Sequence, residues 1–509
     1  MRLVGSAEMR EIDRTAIGDF GIPSLTLMDR AGRAVADAAV ALAGPRGRFV
    51  VVCGGGNNGG DGYVAARLLR AAGRDARVMS LVPPERLSVD ARAVREQADR
   101  AGVPIDEGVL APLAAGVADV VVDAIFGTGL ARAPEGAFAS AIAAIADARS
   151  AGARVLAVDV PSGLSADTGR PLGPCVRADR TVTFGFPKRG LALYPGLSLA
   201  GEVAVDDIGI PAEAARRVPV TCELLTDVEA RLLVPPRQRE AHKGDAGRLL
   251  VVAGSAGKTG AAHLALTGAL RGGVGLVTLA ARGEVLPLAL AGRPEAMSLA
   301  LPGEGPLGRA DLQPLLAAAR DADALAIGPG IPRGDETGEL LRALLDRAGK
   351  PAVVDADGLN ALASDPGLLA GLGVPLLLTP HPGEMARLCG MTTADVQADR
   401  LGVAAAKARA WNATIVLKGA RTVVADPDAP PAIIPTGNPG LATGGTGDVL
   451  AGLCGALLAG GLSPAAAGRV AAWVHGRAGD LAAARFGERG LVAGDLGDAI
   501  GEVWAEWRR

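Results

Sequence analysis

Residues 49–72 read FVVVCGGGNNGGDGYVAARLLRAA, and this stretch decides the fold. Positions 49–53 form a continuous apolar run rich in valine, the composition of a strand buried on both faces. Gly54, Gly55 and Gly56 follow at once, then Asn57, Asn58, Gly59, Gly60, Asp61 and Gly62, and a helical pattern runs from Tyr63 to Ala72. Strand, glycine turn and helix in direct succession open a βαβ unit, because parallel strands need a crossover between them. The five glycines ahead of Asp61 let the backbone turn tightly. They also bring N–H groups and a helix N-terminus toward an anionic ligand such as a diphosphate. A merely flexible connection does not explain two amides and an acid packed into such a turn.

The same alternation of β-branched runs with Ala/Leu-rich amphipathic stretches continues through nearly the whole chain. Strands are expected at 49–53, 77–82, 119–125, 154–160 and 180–186 in the first half. The second half suggests 248–253, 275–280, 324–327, 351–355, 375–379 and 414–417, with 422–425 as a hairpin partner. Ile208-Gly209-Ile210-Pro211 closes the first pattern and Val234-Pro235-Pro236 precedes the second, which puts a boundary near residue 222. The chain of 509 residues is too long for one ordinary core. Two α/β domains of three layers each, 1–222 and 223–509, are therefore expected, with the chemistry in loops just after strands.

Composition excludes several classes of function. Hydrophobic residues at 49% and charged residues at 21% supply material for buried sheets, so the chain is no disordered protein. Aromatics at 3% leave too few stacking platforms for single-stranded nucleic acid, and a net charge of -3 lacks the basic excess of a duplex binder. The cysteines Cys53, Cys175, Cys222, Cys389 and Cys454 are scattered and never form a C-x-x-C pair. Neither a disulfide framework nor a zinc site is expected, and a reducing, cytoplasmic setting is. The opening MRLVGSAEMREIDR has no apolar core of a secretory signal. The uncharged stretch 449–468 is broken by Gly460-Gly461 and Ser463-Pro464, so it reads as a core helix and not as a membrane span.

Three further strand ends in the first half converge by the same topology: Asp123-Ala124-Ile125-Phe126-Gly127-Thr128-Gly129-Leu130, Asp159-Val160-Pro161-Ser162-Gly163-Leu164 and Phe184-Gly185-Phe186-Pro187-Lys188. Each alone could be a structural turn. Together they offer carboxylate, amide and hydroxyl oxygens without a His or Cys cluster, a set suited to a hard monovalent or alkaline-earth cation. Ser162 is not a hydrolase nucleophile, since P-S-G lacks the G-x-S-x-G elbow and no histidine precedes His242.

In this order, GGGNNGGDG, VDAIFGTGL, VDVPSGLSADTG and TFGFPKRGL resemble the motif set of the NAD(P)H-hydrate epimerase family over roughly residues 1–220. The resemblance implies a Rossmann-like domain that interconverts the R and S hydrates of NADH and NADPH with a bound potassium ion. It puts the nucleotide hydrate along Asn57, Asn58, Gly59, Gly60 and Asp61, along Gly127, Thr128, Gly129, Leu130, Ala131, Arg132 and Ala133, and at Asp159. Potassium would sit on Asn58, Asp123 and Ser162. Asp159 takes the proton-transfer role.

In the second half, Gly254-Ser255-Ala256-Gly257-Lys258-Thr259 only mimics a phosphate-binding P-loop, because Val252 stands where the first glycine is required. Lys258 is thus read as part of a loop cap. The stronger signal is the run from Gly437 to Asp448, GNPGLATGGTGD, opening into an apolar helix. Its N–H groups can hold phosphoryl oxygens, and Asp448 can take a proton from an acceptor hydroxyl. A plain helix cap explains the acid but not the glycines.

The G-T-G-D ending resembles the ribokinase-like superfamily. With HKGDAGRLLVVAGS, AIGPG, DADGLN at 355–360, TPHPGE at 379–384 and KGART at 418–422, the half 223–509 resembles the ADP-dependent NAD(P)H-hydrate dehydratase family. Leu441 stands where methionine is common, a volume-conserving exchange. The resemblance implies that the hydrate touches Ala261, Gly330, His381 and Asp448. ADP would lie along Lys418, Gly419, Ala420, Arg421, Thr422 and Gly447, with Mg2+ beside it. The implied reaction phosphorylates the ring hydroxyl with ADP and eliminates phosphate, leaving NAD(P)H and AMP. The partners expected are therefore NADHX, NADPHX and ADP, with no nucleic acid or membrane, in a homo-oligomer. A rival reading is a vitamin or small-alcohol kinase fused to an idle nucleotide-binding module. Against it stand the intact Asn58, Asp123, Asp159 and Ser162, and the sense of pairing an epimerase with a dehydratase that accepts one epimer.

Overall fold

Alternate residues of the first strand face opposite cores. Phe49, Val51 and Cys53 pack with one set of helices, whereas Val50 and Val52 pack with Ile142 and Ile145 on the other side. That two-sided burial is why the strand carries no polar alternation. The computed structural model describes residues 1–43, 47–108, 113, 117–332, 334–363 and 366–508. The chain divides into two units, Arg2–Cys222 and Glu223–Arg509 with Met1.

In the first unit the strands are β1 (Arg48–Cys53), β2 (Asp75–Ser80), β3 (Ile105–Glu107), β4 (Val120–Ala124), β5 (Arg154–Val158), β6 (Arg180–Phe184) and β7 (Glu202–Asp206). They make a seven-stranded sheet in the order β3-β2-β1-β4-β5-β6-β7. Every pairing is parallel. Helices α1 (Ser6–Gly18), α2 (Ser24–Ala43) and α3 (Asn57–Ala71) precede or interleave with the strands, and α4 (Ala137–Ser150) follows β4. The strand order reverses between β1 and β4, so the loops leaving their carboxyl ends diverge and open a crevice.

In the second unit the strands are β8 (Arg248–Val252), β9 (Leu276–Arg282), β10 (Met297–Leu301), β11 (Ala324–Ile327), β12 (Ala352–Val354), β13 (Leu376–Leu378), β14 (Thr414–Leu417), β15 (Val423–Ala425) and β16 (Ala432–Ile433). They run in the order β16-β15-β14-β13-β12-β11-β8-β9-β10. Pairing is parallel from β14 to β10 and antiparallel where β15 meets β14 and β16. Helices α5 (Thr259–Arg271), α6 (Pro382–Cys389), α7 (Thr446–Ala459) and α8 (Pro464–Phe486) belong to this unit. Here the order reverses between β8 and β11.

Two expectations shift. Helix α3 starts at Asn57, six residues before the sequence pattern suggests. Its glycines are demanded by packing: a Cβ on Gly59 would stand 2.1 Å from the Gly54 carbonyl oxygen, and one on Gly62 2.7 Å from Ala124 Cβ. Strands β3, β7 and β10 lacked a sequence signal because they are partly exposed and so carry no apolar run. The uncharged stretch ends as a buried helix, with α7 stopping at Ala459 and α8 opening at Pro464. No helix among the described residues is long and apolar enough to cross a membrane.

Candidate active sites

A cavity of 530 Å³ lies at the carboxyl ends of β1, β4, β5 and β6. Asn57, Asn58 and Asp61 reach it from the first turns of α3. Gly127, Thr128, Gly129 and Leu130 reach it after β4, Asp159 after β5 and Lys188 after β6. Asp159 is held at φ +66, a left-handed conformation that costs a non-glycine residue and is kept only where the surroundings fix it. Its Oδ1 accepts from Thr183 Oγ1 at 3.0 Å and pairs with Lys188 Nζ at 2.7 Å. Its Oδ2 accepts the Thr128 N–H at 3.4 Å. Lys188 is fully buried and donates also to the Phe184 carbonyl at 2.6 Å. A buried ammonium requires such partners.

Two further acids share the charge of this lysine. Burial pushes Asp13 up to about 6, with Lys188 opposing and the Asp159 charge adding to the rise. Burial likewise pushes Asp61 well above the usual carboxylate range, helped by the charges of Asp159 and Asp13. Three carboxylates around one ammonium favour holding a proton in the cluster.

Just behind it, Asp123 is wholly buried, its Oδ1 accepting from Ser162 Oγ at 2.6 Å and its Oδ2 from the Ser162 N–H at 2.8 Å. The Phe126 N–H donates to Ser162 Oγ at 2.9 Å. Burial pushes Asp123 up to about 6, against the hydrogen bonds from Ser162 and Ile125. Asn58 and Asp159 both crowd Gly127, whose Cβ would stand 2.9 Å from Asn58 Oδ1 and 3.1 Å from Asp159 Oδ2. Gly59 and Gly60 do not line the cavity; they pack against Gly54 and Met28. Ala131, Arg132 and Ala133 also fall outside the lining, because the chain turns after Gly127, with the Leu130 N–H donating to the Gly127 carbonyl at 3.4 Å. Sequence reasoning gave no role to Arg10, Asp13 and Lys188, all of which line the cavity. The signal for Asp13 is an acid one helical turn from Met9 and beside Ile12, both buried on α1.

In the second unit, the loops after β8 and β11 meet at the switch point. Gly330, at φ +63, would place a Cβ 2.8 Å from Ala261 Cβ, so the two adjoin. Ser255 Oγ ties them by donating to the Gly330 carbonyl at 2.8 Å. Lys258 stands at the N-cap of α5, as the sequence suggests, and in addition pairs with Asp357 Oδ2 at 2.8 Å.

Asp448 lies in the first turn of α7, whose N-cap Gly445 takes φ +95. Burial first, and then the charge of Asp355, push Asp448 up to about 7, with Lys418 opposing. Lys418 Nζ lies 2.6 Å from Asp355 Oδ1 and 3.8 Å from Glu384 Oε2. A Cβ on Gly447 would stand 3.3 Å from that same Nζ, so the glycine leaves the approach open. The Lys418 ammonium is thus held among the acids beside Asp448. Arg400 Nη2 fixes the loop by donating to the carbonyls of Leu417 and Lys418, each at 3.1 Å, and Nη1 donates to that of Ala420. Arg421 takes φ +58, and Thr422 Oγ1 donates to the Gly419 carbonyl at 3.1 Å.

His381 is the N-cap of α6, its Nδ1 accepting the Gly383 N–H at 3.0 Å, while its Nε2 lies 3.4 Å from Glu384 Oε1. Burial lowers its pKa, which favours the neutral ring that the cap requires. His475 is pushed down to about 4 by burial, and its neutral Nε2 meets the Thr446 carbonyl at 2.9 Å, bracing the first turn of α7. Among the described residues no group of three His, Cys, Asp or Glu could hold a metal ion.

Fold and sites together define a two-unit α/β enzyme in which each sheet carries, at its switch point between parallel strands, a glycine-lined acidic site suited to nucleotides. The sequence signature described as NAD(P)H-hydrate dehydratase matches residues 249–502, and that described as YjeF-related protein N-terminus matches 24–190. A bifunctional NAD(P)H-hydrate repair enzyme of Moorella thermoacetica is 47% identical, the match covering 98% of this chain and 96% of that one. Its counterpart from Escherichia coli strain K12 is 37% identical over 96% of this chain and 91% of its own. A solved structure of the ADP/ATP-dependent NAD(P)H-hydrate dehydratase from Bacillus subtilis, co-crystallized with ATP/Mg2+, is 32% identical with a TM-score of 0.49. That match covers 56% of this chain and 98% of that one. The chain belongs to the bifunctional NAD(P)H-hydrate repair enzymes.

Proposed function

We propose that the two sites act in sequence on hydrated nicotinamide nucleotides. The first interconverts R- and S-NAD(P)HX. The second dehydrates the S form at the expense of ADP, giving NAD(P)H, AMP and phosphate. The observation that carries the reading is Asp448, a carboxylate with a pKa of about 7 in the first turn of a helix opened by glycines. In that position it takes the proton of the substrate hydroxyl as the oxygen bonds to the terminal phosphorus of ADP and the bond to AMP breaks. The N–H groups of the loop from Gly444 and of the first turn of α7 stabilise the phosphoryl oxygens. Ala261 and Gly330 leave room for the ring. The phosphate ester then leaves, and loss of a ring proton restores the double bond.

Potassium fits the first site on the chemistry of its donors: Asp123 is a buried carboxylate whose hydrogen bonds come from neutral groups, with the Ser162 hydroxyl against it, and Asn58 offers an amide oxygen beside Gly127. Bound there, the ion would supply a fixed positive charge behind the cavity. No described cluster offers a protein-built magnesium cage, so we assign Mg2+ to the phosphates of the incoming nucleotide, where it usually keeps several waters.

The test uses Asp159→Asn in the full chain, supplied with mixed NADHX epimers and excess ADP. The S fraction should be restored rapidly and recovery should then stall, waiting on spontaneous epimerisation. Consumption of both epimers at the wild-type rate would sink the proposed division of labour.

A further inference from the structure

The cavity of the first unit holds a carboxylate to which the family resemblance gives no role. Asp13 lies on α1, four residues from Met9 and four from Ile17, and all three line the cavity. Asp159, on the sheet side, is held by Lys188 and Thr183. The Asp13 carboxylate, by contrast, takes no hydrogen bond from another described residue. The charged groups that share the cavity with it are Lys188 after β6, Asp159 after β5, Asp61 on α3 and Arg10 on its own helix.

We propose that Asp13 is a second catalytic residue of the epimerisation site, working from the α1 wall while Asp159 works from the sheet. The inference rests on the epimerase reading of this unit. Hydration of the dihydronicotinamide ring puts the hydroxyl on the carbon beside the ring nitrogen, a hemiaminal. Protonated Asp13 gives its proton to that hydroxyl, the C–O bond breaks, and its electron pair leaves with water. The nitrogen lone pair meanwhile forms a C=N bond. Water adds to the opposite face, the C=N pair returns to nitrogen, and the surplus proton of the added water passes to the Asp159 carboxylate. One proton is given and one is taken, so no co-reactant is needed, and transfer through solvent resets the pair. In the reverse direction the two acids exchange roles.

Two features support this division. An acid pushed up to about 6 by burial still carries a proton in the weakly acidic range. Asp159 is held in one orientation by Lys188 and Thr183, fixed at the wall opposite α1 to receive the proton of the added water.

The experiment compares wild type, Asp13→Asn, Asp13→Glu and Asp61→Asn as full chains. Interconversion of purified S-NADHX without ADP is followed by chromatography, and ADP-dependent dehydration of S-NADHX is measured on the same preparations. Asp13→Asn should slow interconversion by about 100-fold or more, chiefly in kcat, and leave dehydration unchanged. It should also remove the fall in kcat/KM that wild type shows as pH rises through about 6. Asp13→Glu keeps the acid and should recover much of the rate together with that limb, which separates chemistry from loss of fold. The proposal is overturned if Asp13→Asn stays within about threefold of wild type, well short of what a general acid supplies. It is equally overturned if Asp13→Glu recovers nothing, or if the limb vanishes in Asp61→Asn and survives in Asp13→Asn. A wild type that interconverts nothing overturns instead the epimerase reading beneath it.

Discussion

Asp448 is a useful base only when it has lost its proton, and its surroundings set the pH at which that happens. Burial and the Asp355 charge hold it at about 7, so dehydration should rise with pH and level off above that value. At one pH unit below the midpoint only about a tenth of the enzyme is competent. Replacing Asp355 with Asn removes a negative neighbour and at the same time frees Lys418, now 2.6 Å from Asp355, to serve Asp448. At an effective dielectric of about 20, a charge roughly 6–10 Å away is worth about 1.7–2.8 kcal/mol, or between one and two pH units. In Asp355→Asn the ascending limb of kcat/KM should therefore move down by at least about one unit. The assay follows ADP-dependent recovery of NADH from purified S-NADHX across the acid and neutral range. The plateau itself should drop, because Lys418 loses its anchor, but the limb is the diagnostic quantity. A limb that stays at about 7, or climbs, would refute the assignment of Asp448 as the titrating base.

Three other outcomes are expected. Lys258→Ala should leave dehydration within about tenfold of wild type, since its pair with Asp357 is half-exposed and screened; a loss of many orders of magnitude in a steady-state assay would make it a phosphate-binding lysine. Asp123→Ala should slow epimerisation and abolish its response to added potassium while sparing dehydration; an unchanged potassium titration would put the ion elsewhere. Lys188→Met strips a buried carboxylate of its partner and should lower the stability of the first unit by about 3–5 kcal/mol, read as a shifted transition in calorimetry. A shift equivalent to less than about 1 kcal/mol would mean that Asp159 is solvated and not paired.

The two sheets are legible because β1, β4, β8 and β11 are buried on both faces and so are written mainly in apolar residues. The edge strand β10 was not, because Met297 and Ser298 face solvent and leave no pattern to read. The glycines of residues 54–62 read as a loop in the sequence, yet three of the six, Gly59, Gly60 and Gly62, lie in α3. Their cause is close packing, Gly59 against Gly54, Gly60 against Met28 of α2, and Gly62 against β1 and β4, a tertiary fact that no local propensity encodes. Of the sites, the residues that stand inside a motif are visible singly, Asn58, Asp123, Asp159, Ser162 and Asp448, while their contacts across motifs come only from the fold. Asp13 and Lys188 lie 175 positions apart and meet only through the fold, and Lys188 drew notice merely as the end of a strand motif. The Lys418–Asp355 pair was hidden for the same reason, since each residue had been read within its own motif.

The most direct measurement gives purified wild-type protein an equilibrated mixture of R- and S-NADHX and records the return of the reduced nicotinamide absorbance with and without ADP. With ADP, recovery should run to completion through both epimers without a plateau, and AMP and phosphate should appear in step with NADH. Without ADP, the epimers should interconvert and no NADH should form. NADH recovery that ignores ADP, or a plateau at the S fraction in the wild type, would contradict the account.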